Sequence, residues 1–261
     1  MIAQEVTPRV QQWLRNSRSA RVLHVFDHSC TLANERDEVI SLVAPAVGLG
    51  PFTALLADDF PTGLDVHQPV TLDAVRPALT VGPLVVDARG AAVWQLRPDW
   101  SWLEGVALGQ WPPAAALPAD IDRALKLTLQ GILAHDAPAC LAGVEGLVGR
   151  GRGLTPTGDD VLVGILYGLW VWYPRHRRPL REQWIGMIRD AAVSRTTILS
   201  ANFIRAAGDG EAVWQWHDLV HGRPHAVDRL LAIGHTSGAD AWAGFTSTAS
   251  VLSPALGQRA R

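Results

Sequence analysis

The sequence predicts an α+β fold: an N-terminal strand-rich domain, built as a small antiparallel sheet or barrel, followed by an all-helical domain. Three observations carry this expectation. Before residue 97 the apolar residues fall in short alternating or continuous runs separated by turn residues, and after residue 118 they take a helical period. Strands and helices do not alternate along the chain, which excludes a Rossmann or flavodoxin-like sheet.

In chain order, an amphipathic helix is expected over residues 8–16. Strands are expected over 21–26, 38–43, 52–57, 66–72, 83–87 and 92–96. Between residues 97 and 118 stand Trp100, Trp102, Trp111 and Pro112-Pro113, a composition suited to neither regular element, so the domains read as 1–113 and 114–261. Ile121, Leu125, Leu129, Ile132 and Leu133 share one face of a helix over 118–135. Further helices are expected over 159–172, 180–194, 197–207, 211–220, 226–233 and 239–252. The longest apolar run, residues 161–173, falls short of the roughly 18–20 residues a membrane span needs and reads as a buried helix.

The 261 residues are 48% hydrophobic, enough for a sizeable core, while the charged fraction of 18% lies below the roughly 25% usual for soluble proteins. Part of the surface is therefore neutral, apolar or covered by a partner. A net charge of -2 gives no bulk attraction for nucleic acid or anionic lipid, so neither is an expected partner and any anion binding is local. The chain has one lysine, Lys126, and 22 arginines, which restricts Schiff-base chemistry to Lys126 and supplies many bidentate anion contacts. Two cysteines, Cys30 and Cys140, make neither a disulfide scaffold nor a four-thiolate zinc site, and the first residues lack an apolar targeting segment, so a cytoplasmic location is expected.

The segment carrying most chemistry runs from Gly149 to Asp160 (GRGRGLTPTGDD) into Val161-Leu162-Val163-Gly164. Glycines let backbone N–H groups converge on an oxyanion, and a following helix N-terminus adds partial positive charge. Gly151, Arg152, Gly153, Thr155, Thr157 and Gly158 are therefore candidate anion-binding residues. The segment is not a Walker A loop, because Asp159-Asp160 stand where Lys and Ser/Thr belong. Two carboxylates there repel a bare phosphate, so a bound anion calls for an arginine or for Mg2+ or another divalent cation between them.

A related pattern recurs 80 residues on: Thr157-Gly158-Asp159-Asp160 followed by Gly164 matches Ser237-Gly238-Ala239-Asp240 followed by Gly244. Thr236, Ser237 and Gly238 join the anion-binding candidates, Asp159, Asp160 and Asp240 form a candidate metal set, and Asp159, Asp160 and His235 are candidate catalytic groups. Capping boxes at Thr157 and Ser237 account for Asp160 and Asp240 equally well, but not for the glycine-arginine arm or for Asp159. A third cluster, Arg195, Thr196, Thr197 and Ser200, suits an anion at a helix start or an ordinary N-cap.

Other signatures carry less. His217, His221 and His225 lie four apart, but Gly222 and Pro224 interrupt the helix a shared metal face requires. No G-x-S-x-G nucleophile motif occurs, and Cys30 lacks papain-like surroundings. Trp170, Trp172, Trp184, Trp214, Trp216 and Trp242 read as packing residues.

Taken together, the 151–160 segment, Thr196-Thr197-x-x-Ser200 and Gly234-x-Thr236-Ser237-Gly238-x-Asp240 resemble a bacterial family that includes the AllH-type subunit of the catabolic oxamate carbamoyltransferase. The resemblance is close over residues 145–250; before that, His28-Ser29 and Gly50-Pro51 look like family positions. It implies carbamoyl transfer between phosphate and oxamate, in the setting of allantoin breakdown, in a complex of several subunits. The reading of this chain is then a complex subunit that binds a small anionic or phosphorylated metabolite. The alternatives are a stand-alone carboxylate-metal-dependent hydrolase and a non-catalytic scaffold, with partners either the other transferase subunits or further copies of itself.

Overall fold

The computed structural model describes residues 1–58, 60–73, 75–104, 106 and 111–257. The chain forms two compact units, Met1–Arg97 with Ala212–Trp214, and Pro98–Glu211 with Gln215–Arg261. Residues 105 and 107–110 of the expected junction lie outside the described part.

The first unit holds β1 (Ala3–Val6), α1 (Pro8–Asn16), β2 (Ala20–Phe26), β3 (Ser29–Asn34), β4 (Val39–Val43), β5 (Thr53–Leu56), β6 (Val70–Leu72), β7 (Ala78–Val81), β8 (Leu84–Asp87) and β9 (Ala92–Val93). Six strands form one sheet in the order β2-β3-β4-β5-β1-β9, and β6-β7-β8 form a separate antiparallel meander. The larger sheet is mixed, where an antiparallel one was expected: β4 pairs with β5, and β1 with β9, in parallel. Residues 44–52 carry the chain from β4 back to its parallel neighbour β5, and helix α1 carries it from β1 to β2 at the far edge of the sheet. Its cap Thr7 accepts the Val10 N–H at 3.2 Å and donates to the Pro51 carbonyl at 2.8 Å, which ties the helix start to the turn before β5. Strands β1, β3 and β7 had no counterpart in the sequence reading. Strand β3 is buried along almost its whole length, so it shows no two-residue alternation.

The second unit holds α2 (Ala119–Ala134), α3 (Ala137–Leu147), α4 (Thr157–Trp172), α5 (Arg178–Val193), α6 (Ile198–Gly208), α7 (Trp214–Val220), α8 (Ala226–Leu231) and α9 (Ser237–Gly257), apart from Trp214 itself. No described helix is long and apolar enough to cross a membrane. Helix α3 was not expected, because its glycine- and alanine-rich sequence carries little helical pattern; the same small side chains let it lie closely against α2.

Helix α4 is buried on nearly every side, as its lack of a polar face requires. It runs parallel to α9: Gly164 faces Ala241 and Phe245, Gly168 faces Thr248, and Gly244 faces Val161 and Ile165. A Cβ on Gly164 would meet the Ala241 carbonyl oxygen, and one on Gly244 the Val161 carbonyl oxygen, so the two backbones touch directly. Around this contact Trp172, Trp216, Trp242 and Phe245 pack edge-on, tilted or, for Trp242 with Phe245, stacked, with ring centroids 4.6–6.4 Å apart.

Because backbone cannot yield as a side chain does, Gly164→Ala is expected to destabilise the protein by about 3 kcal/mol or more, at the upper end of overpacking costs. Gly186 in α5 has nothing within 4 Å of its Cβ position. Gly186→Ala should therefore stabilise by about 0.5–1 kcal/mol through helix propensity. Urea unfolding of both variants checks the contrast.

Candidate functional site

The site is built where α4, α6 and α9 begin. After α3 the chain turns back through residues 148–156, with Gly149, Gly151 and Gly153 in the left-handed half of backbone space. The Arg150 N–H returns to the Leu147 carbonyl at 2.9 Å, and the Gly158 N–H bonds the Arg150 carbonyl at 2.8 Å, closing the loop onto the α4 start. The second loop repeats this pattern: Ile233 N–H to Leu230 carbonyl at 3.1 Å, then Gly238 N–H to Ile233 carbonyl at 3.0 Å. Gly158 presses on the Leu147 carbonyl as Gly238 presses on that of Leu230. The recurrence in sequence is thus a repeated helix–loop–helix, α3–α4 and α8–α9, packed side by side.

The hydroxyls do not form the expected capping boxes. Pro156 caps α4 without a side-chain hydrogen bond, and Thr157 is already helical. Instead each carboxyl is served from both repeats: Asp160 by Thr155 of its own loop and Ser237 of the other, and Asp240 by Thr236 of its own loop and Thr157 of the other. Thr155 and Ser237 also bond each other at 2.9 Å. Both carboxyl groups are 8% exposed, and one oxygen of each, Oδ2, is buried without a hydrogen-bond partner. Burial pushes the Asp160 carboxyl up to about 7, with the hydroxyls opposing and the charges of Asp240 and Asp159 adding to the rise. Asp240 is raised as well, again chiefly by burial.

Asp159 faces elsewhere, as adjacent helical residues must. Its Oδ1 accepts the Gly149 N–H at 2.8 Å, and its Oδ2 accepts the Thr196 hydroxyl. Thr197 caps α6 by accepting the Ser200 N–H at 3.1 Å, and its hydroxyl donates to the Leu154 carbonyl at 2.7 Å. Asp159, Thr196 and Thr197 therefore bind the loop to the α6 start. Arg195 pairs with Glu145 at 2.8 Å, both half-exposed, and Ser200 is 1% exposed with its hydroxyl unpartnered. Arg150, Arg152, Gly153, Leu154, His235 and Thr236 form the exposed rim.

The structure thus gathers all three sequence clusters but separates the acids: Asp160 and Asp240 share one hydroxyl network, and Asp159 belongs to another. Among the described residues no group of three or more His, Cys, Asp or Glu side chains is arranged to hold a metal ion. Glu145 and the Gly149 N–H were missed as partners, the first lying on the unexpected α3 and the second having no side chain to signal it. The thiols offer no nucleophile, since burial raises Cys30 to about 11 and Cys140 to about 12.

Two measurements follow from this geometry. Asp159→Ala removes two hydrogen bonds to a buried charge and should cost about 2–4 kcal/mol of stability. Thr196→Val should cost less, and a double-mutant cycle should show the two coupled. The second concerns pH. A carboxyl whose pKa is higher folded than unfolded binds more protons in the native state, so its contribution falls as pH rises from about 4 to 7. Asp160→Asn is expected to flatten that decline and to raise stability at pH 8, read from unfolding curves at pH 5 and pH 8.

No solved structure matches the chain. The family model described as oxamate carbamoyltransferase subunit AllH matches residues 147–249, which contain every candidate site residue, and the AllH family N-terminal domain model matches residues 2–93. With both models matched over most of its length, the chain belongs to the AllH family of oxamate carbamoyltransferase subunits.

Proposed function

We propose that this chain is the anion-binding subunit of a carbamoyltransferase complex acting on oxamate and carbamoyl phosphate, working beside other, different subunits. The observation that carries the reading is the meeting of three helix N-termini, those of α4, α6 and α9, at one glycine-rich loop with exposed arginines. Aligned N–H groups and partial positive charge at such ends favour phosphate and carboxylate, the groups that carbamoyl phosphate and oxamate present. In this reading Arg150 and Arg152 supply the charge-assisted contacts on the open side, with the N–H groups of Gly151 and Gly153 beneath them.

Transfer to phosphate makes the bond from a phosphate oxygen to the carbamoyl carbon and breaks the bond from that carbon to the oxamate nitrogen, which leaves with a proton. In this reading His235, exposed at the rim, supplies that proton. Asp159 positions the loop, and Asp160 with Asp240 holds the two repeats in register. Mg2+ is a second reading, favoured by the unpartnered buried oxygens of Asp160 and Asp240.

Calorimetric titration with carbamoyl phosphate, phosphate and oxamate, with and without magnesium, tests both readings. Binding of at least one anion is expected, weakened about tenfold or more by Arg152→Ala, as loss of a charge-assisted hydrogen bond predicts. His235→Ala should lower turnover of the reconstituted complex while leaving anion affinity nearly unchanged. Affinity that Arg152→Ala leaves intact would remove the loop from the reading, and magnesium-dependent binding abolished by Asp240→Asn would favour the metal.

A further inference from the structure

Away from these loops, the helical unit contains a cavity of about 550 Å³ at the end of α7 and the start of α8. Its lining combines Trp102, Trp111 and Leu219 with His221, Arg223 and His225. Three features set it apart from ordinary packing space. Trp102 is 63% exposed, although an indole of this size is normally among the more buried side chains. Its ring lies 5.6 Å from that of His221, tilted by 59°. Arg223 is exposed, and among the described residues its guanidinium has no partner.

The rim is fixed rather than loose. His221 Nδ1 donates to the His217 carbonyl at 2.7 Å, which holds the ring and leaves Nε2 as its other polar atom. His225 holds a left-handed backbone with φ 58°, a strained state for a residue with a Cβ, and its ring contacts Asp228 at 3.1 Å. Asp228, which also lines the cavity, is hydrogen-bonded to the His225 ring, and Arg223 is the exposed cation among the described lining residues.

We propose that this cavity binds a planar aromatic ring carrying an anionic arm, of the size and chemistry of a purine nucleotide. The ring stacks on Trp102, and the phosphate lies on the Arg223 guanidinium and the His221 side of the rim. Stacking of a base on an aromatic side chain strengthens binding roughly five- to a hundredfold, and a guanidinium–phosphate pair adds a comparable factor. The volume lies within the range of small-molecule sites, and the mixture of apolar wall with a few polar groups is their usual composition.

The site is separate from the glycine loops, so its test does not depend on the anion-binding reading. The full chain is titrated calorimetrically with AMP, adenosine and ribose 5-phosphate. AMP is expected to bind roughly tenfold more tightly than either fragment. Trp102→Ala should weaken AMP at least about tenfold while Trp102→Phe keeps most of the affinity. Arg223→Ala should bring AMP down to the level of adenosine; this exposed substitution carries the test if Trp102→Ala fails to fold. Absence of AMP binding at millimolar concentration, or AMP affinity unchanged by Arg223→Ala, overturns the proposal.

Discussion

The helical unit depends on one contact, the direct backbone approach of α4 and α9 through Gly164 and Gly244. Two helices so placed lie parallel, and their starts come side by side. Parallel neighbours add their dipoles, so partial positive charge accumulates where Thr157 and Ser237 begin the two helices. Asp160 and Asp240 answer that charge from within the first turns. The compensation is itself opposed, because both carboxyl groups are buried and the charge of Asp240 acts on Asp160. Crossed hydroxyl contacts settle the balance: each repeat donates to the carboxyl of the other, so neither half of the network is complete alone.

Asp159 does different work one residue away. Its two oxygens join the end of α3, through Gly149, to the start of α6, through Thr196. Thr197 then bonds the Leu154 carbonyl and fixes the far side of the same loop. A glycine-rich loop left to itself would lose much entropy on binding a ligand, and these anchors remove part of that cost beforehand. The loop is therefore held at its edges by polar side chains, while Arg150, Arg152 and Gly153 between the anchors stay open to solvent.

Much of this was legible in the sequence, and the reasons for the remainder are physical. The apolar run after Asp160 announced a buried helix, and the 80-residue recurrence of [ST]-G-x-D-x-x-x-G announced two related helix starts. What the pattern did not disclose is the direction of the hydroxyl bonds. Thr157-x-x-Asp160 fits a capping box locally, but the neighbour that Gly164 admits brings Asp240 within reach of Thr157, and the tertiary contact wins. Likewise, Asp159, Asp160 and Asp240 read from the sequence as one candidate metal set, and the pattern does not disclose that the helix turns Asp159 onto a different face from Asp160. Strand β3 and helix α3 escaped notice because burial on both faces erases alternation in one, and small residues flatten the helical pattern in the other.

The repeat also explains why the two loops differ. The backbone bonds from Leu147 through Arg150 to Gly158 reproduce those from Leu230 through Ile233 to Gly238, so the frame is the same in both. The first loop is longer, and the additional residues fall between the Arg150 carbonyl and Gly158, where Gly151, Arg152 and Gly153 lie. Extra length placed between two fixed hydrogen bonds leaves the helix packing untouched and adds flexible, cationic, exposed backbone. The shared frame is thus under the constraint of close helix packing, and the insertion is free of it. Chemistry that distinguishes one half of the pair from the other belongs in that insertion, where Arg152 stands, and at Arg150, the frame position that Ile233 fills in the second loop.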